Sequence, residues 1–159
     1  MSLAQQAGAE LGSAHEFFNR SRRNLSEAHS SVMPAEGMMT AAQQVAHTAQ
    51  TVEWFMEGAF RPEGFDLDFE SLAKATEACT SLAAARDWFE RAMAAAKQRV
   101  ATLTDAELLA PLPDGPVMGG LPRIAIFSSI TDHTAHHRGA LTVYARLQGV
   151  VPPMPYGDM

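Results

Sequence analysis

Leu72-x-x-Ala75-x-x-x-Cys79-x-x-Leu82-x-x-x-Arg86-x-x-Phe89-x-x-x-Met93-x-x-Ala96-x-x-x-Val100-x-x-Leu103 advances strictly by threes and fours, and that rhythm decides the fold. Steps of this kind keep one face of a helix turned to its neighbours, the pattern of near-parallel packing in helix bundles. The spacing predicts a long third helix over about 69–103. Its one polar seam residue, Arg86, either reaches a polar site or yields its place to Ala85 through a slight rotation of the helix.

Working outward, Arg61-Pro62-Glu63-Gly64 is a turn signal that ends a second helix spanning about 37–60. Pro34 separates it from a first helix over about 13–29, where Ser13-x-x-Glu16 reads as a capping box and Ala14, Phe18, Leu25 and Ala28 share a side. Beyond the seam, Thr104-x-x-Glu107 caps a short turn. The stretch 111–122 holds four prolines and three glycines and must be a loop. Pro122 suits the first turn of a fourth helix over about 122–148, with Gly149 just past its end. No segment alternates with the period of a strand. The expectation is an all-α four-helix bundle in a single domain, 1–159, with its core over about 13–149 and an irregular tail over 150–159.

Composition excludes several functions. Hydrophobic residues make up 47% and charged residues 19%, so the chain can bury a core and is not disordered. A net charge of −6 with scattered basic residues argues against nucleic acid and anionic membranes as partners. The densest basic run, Arg20-Ser21-Arg22-Arg23, reads as a solvated helix face. No apolar stretch reaches the ~18–20 residues that span a bilayer. A single cysteine and no leading secretory pattern predict a reducing, cytoplasmic setting. Cys79 lies on the seam and reads as packing rather than as a nucleophile.

The chemistry is concentrated in the fourth helix, in Asp132-His133-Thr134-Ala135-His136-His137-Arg138-Gly139, which carries three of the six histidines. At ~100° per residue, His133 and His137 fall on the apolar stripe with Ile126, Ile130, Ala140 and Tyr144. His136 moves to the flank beside Asp132, and Arg138 points the other way. Two imidazoles one turn apart on a buried face suit a divalent transition metal; a hydrogen-bonded pair without metal is the competing reading. A third ligand is needed, and His15, His29, His47, His136, Asp132 and Glu53 are the candidates. His15 and His29 better suit exposed or capping roles. His47 projects almost opposite the apolar stripe of its helix (Met38, Ala42, Val45, Ala49, Val52, Met56), on a face with Thr40, Gln43, Thr51 and Trp54. Either it faces solvent or that helix is buried on two sides. His15-Glu16-Phe17-Phe18-Asn19 lacks the second histidine of a zinc-protease motif. No Glu-x-x-His pair supports a di-iron centre.

The run His133-Thr134-Ala135-His136-His137-Arg138-Gly139-Ala140-Leu141, followed by Tyr144-Ala145-Arg146-Leu147-Gln148-Gly149-Val150 and Pro152-Pro153…Tyr156-Gly157, resembles the DinB superfamily of DinB/YfiT-like metalloenzymes. Ala46-His47-Thr48 matches the family's other histidine position, and the helix order covers nearly the whole chain. The resemblance implies one divalent metal, zinc or nickel before others, held by His47, His133 and His137, with the His47 face lining a site. It implies a homodimer, and a small-molecule substrate attacked by an activated low-molecular-weight thiol; three neutral ligands would leave the ion's charge free to activate water in the same way. Ala140 departs from the family pattern, where many relatives carry Gln after Arg-Gly, which removes any role of that side chain here. Tyr144 either orients a ligand or packs in the core with its hydroxyl satisfied, and His136 or Asp132 are candidates to support the ligands. The alternative to an enzyme is a bundle locked together by its metal without turnover.

Overall fold

The computed structural model describes residues 1–157; the last two residues of the expected tail lie outside them. Its elements are α1 (Leu3–Arg22), a 3-10 turn (Glu27–His29), α2 (Ala41–Gly58), α3 (Phe69–Glu77), α4 (Leu82–Val100), α5 (Asp105–Leu109) and α6 (Ala125–Leu147). The described residues form no strand, only an isolated bridge between Pro111 and Pro122. None of the helices is long and apolar enough to cross a membrane.

Four long helices form a ring in which α1 touches α6 and α4, and α2 touches α4 and α6. The contacts give the directions. Glu53 meets Trp88 near the helix middles and Arg99 covers the Phe60 ring at the C-terminal ends, so α2 and α4 run parallel. Arg123 reaches Ala59 while Gln44 reaches Tyr144, so α2 and α6 are antiparallel. His15 bonds Lys97 and Arg86 bonds Arg22, which makes α1 antiparallel to α4. The order is therefore up-down-down-up, and parallel neighbours need a long crossover rather than a hairpin.

That crossover is residues 59–81, and it corrects the third helix. The seam is broken: α3 ends at Glu77 and α4 begins at Leu82, with Leu72 and Cys79 half-buried and Ala75 exposed. Ser81 caps the start of α4 beyond the break, its Oγ accepting from the Ala84 amide at 3.2 Å. From Leu82 onward the seam holds, with Leu82, Phe89, Met93, Ala96 and Val100 buried. Ala85 takes the inward position. Arg86 turns aside to donate to the carbonyls of Arg22 and Leu25 at the end of α1. Cys79 packs against the core, its thiol aimed at the Ser81 carbonyl.

The first helix begins ten residues before its expected start, because Ser2 and Gln5 form the operative capping box. Ser13 is therefore mid-helix. The chain leaves α1 at Arg22, so Leu25 is buried from the following turn while Ala28 is exposed. Thr40 and Gln43 cap α2, and Thr104 and Glu107 cap α5, each by a reciprocal pair of hydrogen bonds. Pro122 lies in the bridge and not in a first helical turn; α6 starts three residues later. At its far end Gly149, at φ 72°, closes α6. The Val150 amide bonds back to Ala145 and the Gly149 amide to Arg146, a Schellman cap.

The crossover also settles where the second helix faces. Running back along α2, it offers the Asp66 carbonyl to the Trp54 indole and the Glu77 carbonyl to Gln43. Covered by the bundle on one side and the crossover on the other, α2 is buried on two sides: Gln44, Thr48, Gln50 and Thr51 are all inside. Gly58 ends the helix where the chain folds back, since a side chain there would overlap the Phe65 ring.

Candidate metal centre

Antiparallel α2 and α6 bring His47, 86 residues upstream, against His133, with the two Nε2 atoms 3.3 Å apart. One turn further along α6, the Nε2 of His137 lies 3.2 Å from that of His133. One ring nitrogen from each of the three lies within 4.8 Å of the others. The rings meet at centroid separations of 5.0, 4.9 and 4.4 Å, so three imidazole edges converge on one point.

Burial sets their charge. Desolvation, followed by the neighbouring His133, His47 and His136, pushes His137 down to about 3. The same cause, with His47 and His136 next, pushes His133 to about 4, against a small opposing pull from Asp132. His47 is lowered by burial and then by His136. All three are neutral at physiological pH, which is the form that ligates.

His137 has a second partner: its Nδ1 lies 2.5 Å from Gln44 Oε1. The Gln44 amide nitrogen donates to the Tyr144 hydroxyl at 3.2 Å, and that hydroxyl donates to the Met39 carbonyl at 2.9 Å. Tyr144 is therefore core-packed with its hydroxyl satisfied, and it touches the site only through Gln44. Sequence reasoning passed over Gln44. Its position three residues before His47, one turn back on the same side of α2, was the available signal.

The other candidates go elsewhere. His15 bonds Glu90 and Lys97 between α1 and α4, and His29 caps Ser26. His136 and Asp132 are exposed on the flank. Glu53 accepts from Trp88 on the far side of α2. Arg138 points away, donating to the Tyr156 hydroxyl at 3.2 Å and lying over the Phe17 ring. Ala140 is half-buried against the core.

A depression bordered by Phe55, Ser128, Ser129 and Asp132 opens beside His133 and gives solvent a way to the cluster. A separate groove between α2 and α4, lined by Glu53, Met56, Phe60 and Arg99 among others, contains none of the histidines. The donor set decides between them. Three neutral imidazoles without a carboxylate suit a divalent transition ion, so these residues fit such a group.

Among solved structures, a DinB-like protein from Bacillus cereus ATCC 10987 shares the fold at TM-score 0.70 and 19% identity, over 95% of this chain and 93% of that one. Another, the DinB-like protein YjoA from Bacillus subtilis, aligns at TM-score 0.66 and 22% identity, over 97% and 99%. At such identities the likeness establishes the fold alone. No curated protein matches the chain. The family model of the DinB superfamily matches residues 17–141, most of the helical ring and all three clustered histidines, and the chain belongs to that superfamily.

Proposed function

We propose that the protein is a metal-dependent enzyme that holds one divalent transition ion, zinc or nickel, on His47, His133 and His137. The observation that carries this reading is the convergence of three neutral imidazoles, one buried and two half-buried, whose Nε2 atoms face one another at 3.2 and 3.3 Å. Lone pairs at that spacing repel unless a proton or a cation sits among them. Bound by three neutral ligands, the ion would keep its full charge and acidify a small thiol or a water for attack on an electrophilic substrate at neutral pH.

The chain's own residues do the rest. Burial keeps the three rings unprotonated, and the Gln44 contact holds His137 in place. The depression beside His133 admits a small substrate past Ser128, Ser129 and Asp132. That opening favours catalysis over a purely structural ion, whose shell would be closed by a fourth protein ligand. The proposal includes a homodimer. Val143 and Leu147, one turn apart on α6 and more than half exposed, are apolar surface that a second copy would cover.

Cobalt-substituted protein tests the reading. An open position gives a visible spectrum that changes when a low-molecular-weight thiol is added, and thiol-dependent transfer to an electrophile should follow. A spectrum indifferent to thiols, azide and pH would leave the ion structural.

A further inference from the structure

The hydrogen bonds beyond His137 can run in one direction only. The Met39 carbonyl accepts and cannot donate, so the Tyr144 hydroxyl, 2.9 Å away, must give its proton there. The phenol oxygen then has only lone pairs to offer Gln44, and the Gln44 amide nitrogen, 3.2 Å away, must donate to it. Turning the amide over would set its oxygen against an oxygen with no proton left. The amide oxygen is thus committed to His137. Having no hydrogen of its own, it requires one on His137 Nδ1, 2.5 Å away. A neutral imidazole has one such hydrogen, so Nε2, the nitrogen that meets His133, keeps its lone pair.

We propose that Gln44 and Tyr144 are positioning residues that hold His137 in the Nδ1-protonated tautomer, with its free Nε2 presented to the cluster. The purpose of the device rests on the metal reading above; its geometry does not. Water has no room to replace a member, because His137 and Gln44 are each 7% exposed and Tyr144 is 2% exposed. Among the described residues neither His47 nor His133 has a protein partner at Nδ1. His137 is therefore the anchored ligand, tied through α2 to the backbone just ahead of that helix, and the other two rings orient around it.

The test is long-range nitrogen-15 NMR of the histidine rings in metal-free full-length protein at pH 7.5, with zinc affinity measured in parallel. Wild-type His137 should show the Nδ1–H pattern. Gln44→Leu should shift it to the Nε2–H form or a mixture and weaken zinc binding by about 10–100-fold. Gln44→Glu, whose carboxylate accepts from His137 with one oxygen and with the other takes the hydroxyl proton that Tyr144 otherwise gives to Met39, should keep the pattern. Tyr144→Phe frees the amide to turn and should give a mixture; it decides the question if Gln44→Leu fails to fold. An Nε2–H pattern in the wild type, or an unchanged Nδ1–H pattern in whichever of these two variants folds, would overturn the proposal. Failure of the wild type to bind zinc would instead sink the metal reading, while the tautomer result would still decide the relay.

Discussion

His47 and His133 come within 3.3 Å of each other at Nε2 although 86 residues separate them, and that contact joins α2 to α6. An ion held there adds a strong direct link between two packed helices that the chain itself connects only through the crossover, α4, α5 and the loop before α6. Metal should therefore raise stability by mass action, by ~2.7 kcal/mol at a free concentration one hundred times the dissociation constant. Thermal unfolding with zinc and with chelator should differ by several degrees. His47→Ala and His133→Ala should each abolish the difference and the bound metal. Unchanged metal content in both variants would remove the three-histidine site.

Acid should destabilise the metal-free protein in a defined window. Unfolded, these imidazoles take up protons near their ordinary value of about 6.5; folded, His133 does so only near 4 and His137 only near 3. Between those limits the unfolded chain binds more protons, so stability is highest above pH 6.5 and falls as the pH drops. Denaturant midpoints at pH 7.5, 6 and 5 should decline. The decline should be shallower in the double variant His133→Asn/His137→Asn, which lacks the two rings. Parallel slopes in the two proteins would show that other groups carry the acid sensitivity.

Gly58 marks where α2 gives way to the crossover, and its hydrogen faces the Phe65 ring. Gly58→Ala would place a methyl group inside that ring's volume. The ring must move out of its contacts with Trp54 and Phe55. A cost of about 1–3 kcal/mol is expected from such overpacking, in place of the gain usual for a glycine-to-alanine change in a helix. Urea unfolding measures it, and a neutral or stabilised variant would mean that the crossover yields freely.

The parts of this fold visible in the sequence are those governed by neighbours along the chain. The seam from Leu82 to Val100, the Thr104–Glu107 box, the glycine that ends α6 and the one-turn pairing of His133 with His137 all follow from local spacing. Direction and partner were less visible. His47 faces away from the apolar stripe of its helix, and only the crossover laid over α2 makes that face an interior. Gln44 was overlooked for the same reason: its partners His137 and Tyr144 lie 93 and 100 residues away. At the N-terminus two boxes competed, and Ser2 with Gln5 prevailed over Ser13 with Glu16, placing Leu11 and Ala7 in the core along with Ala14 and Phe18.

The break before α4 was hidden because most of its cause lies elsewhere in the chain. A helix start exposes unpaired amides, and here three successive ones find separate acceptors. The Leu82 amide donates to Ser30 Oγ at 2.9 Å, the Ala83 amide to Glu27 Oε2 at 2.8 Å, and the Ala84 amide to Ser81 Oγ at 3.2 Å. The bond from Ala83, with the Ser81 hydroxyl next, holds the Glu27 carboxyl below its ordinary range. Two of the three acceptors belong to the turn after α1, so α4 can start at Leu82 only once that turn is docked. Ser81→Ala should cost about 1 kcal/mol, the usual loss of a helix cap. Ser30→Ala should cost about 1–3 kcal/mol, because it orphans a buried amide more than fifty residues away. If local propensity alone placed the break, Ser81→Ala would reproduce its effect in an isolated 69–103 peptide and Ser30→Ala would leave the protein unchanged within about 0.5 kcal/mol. If the docked turn places it, the peptide should show no defined break at 78–81, and Ser30→Ala should be at least as damaging in the protein as Ser81→Ala.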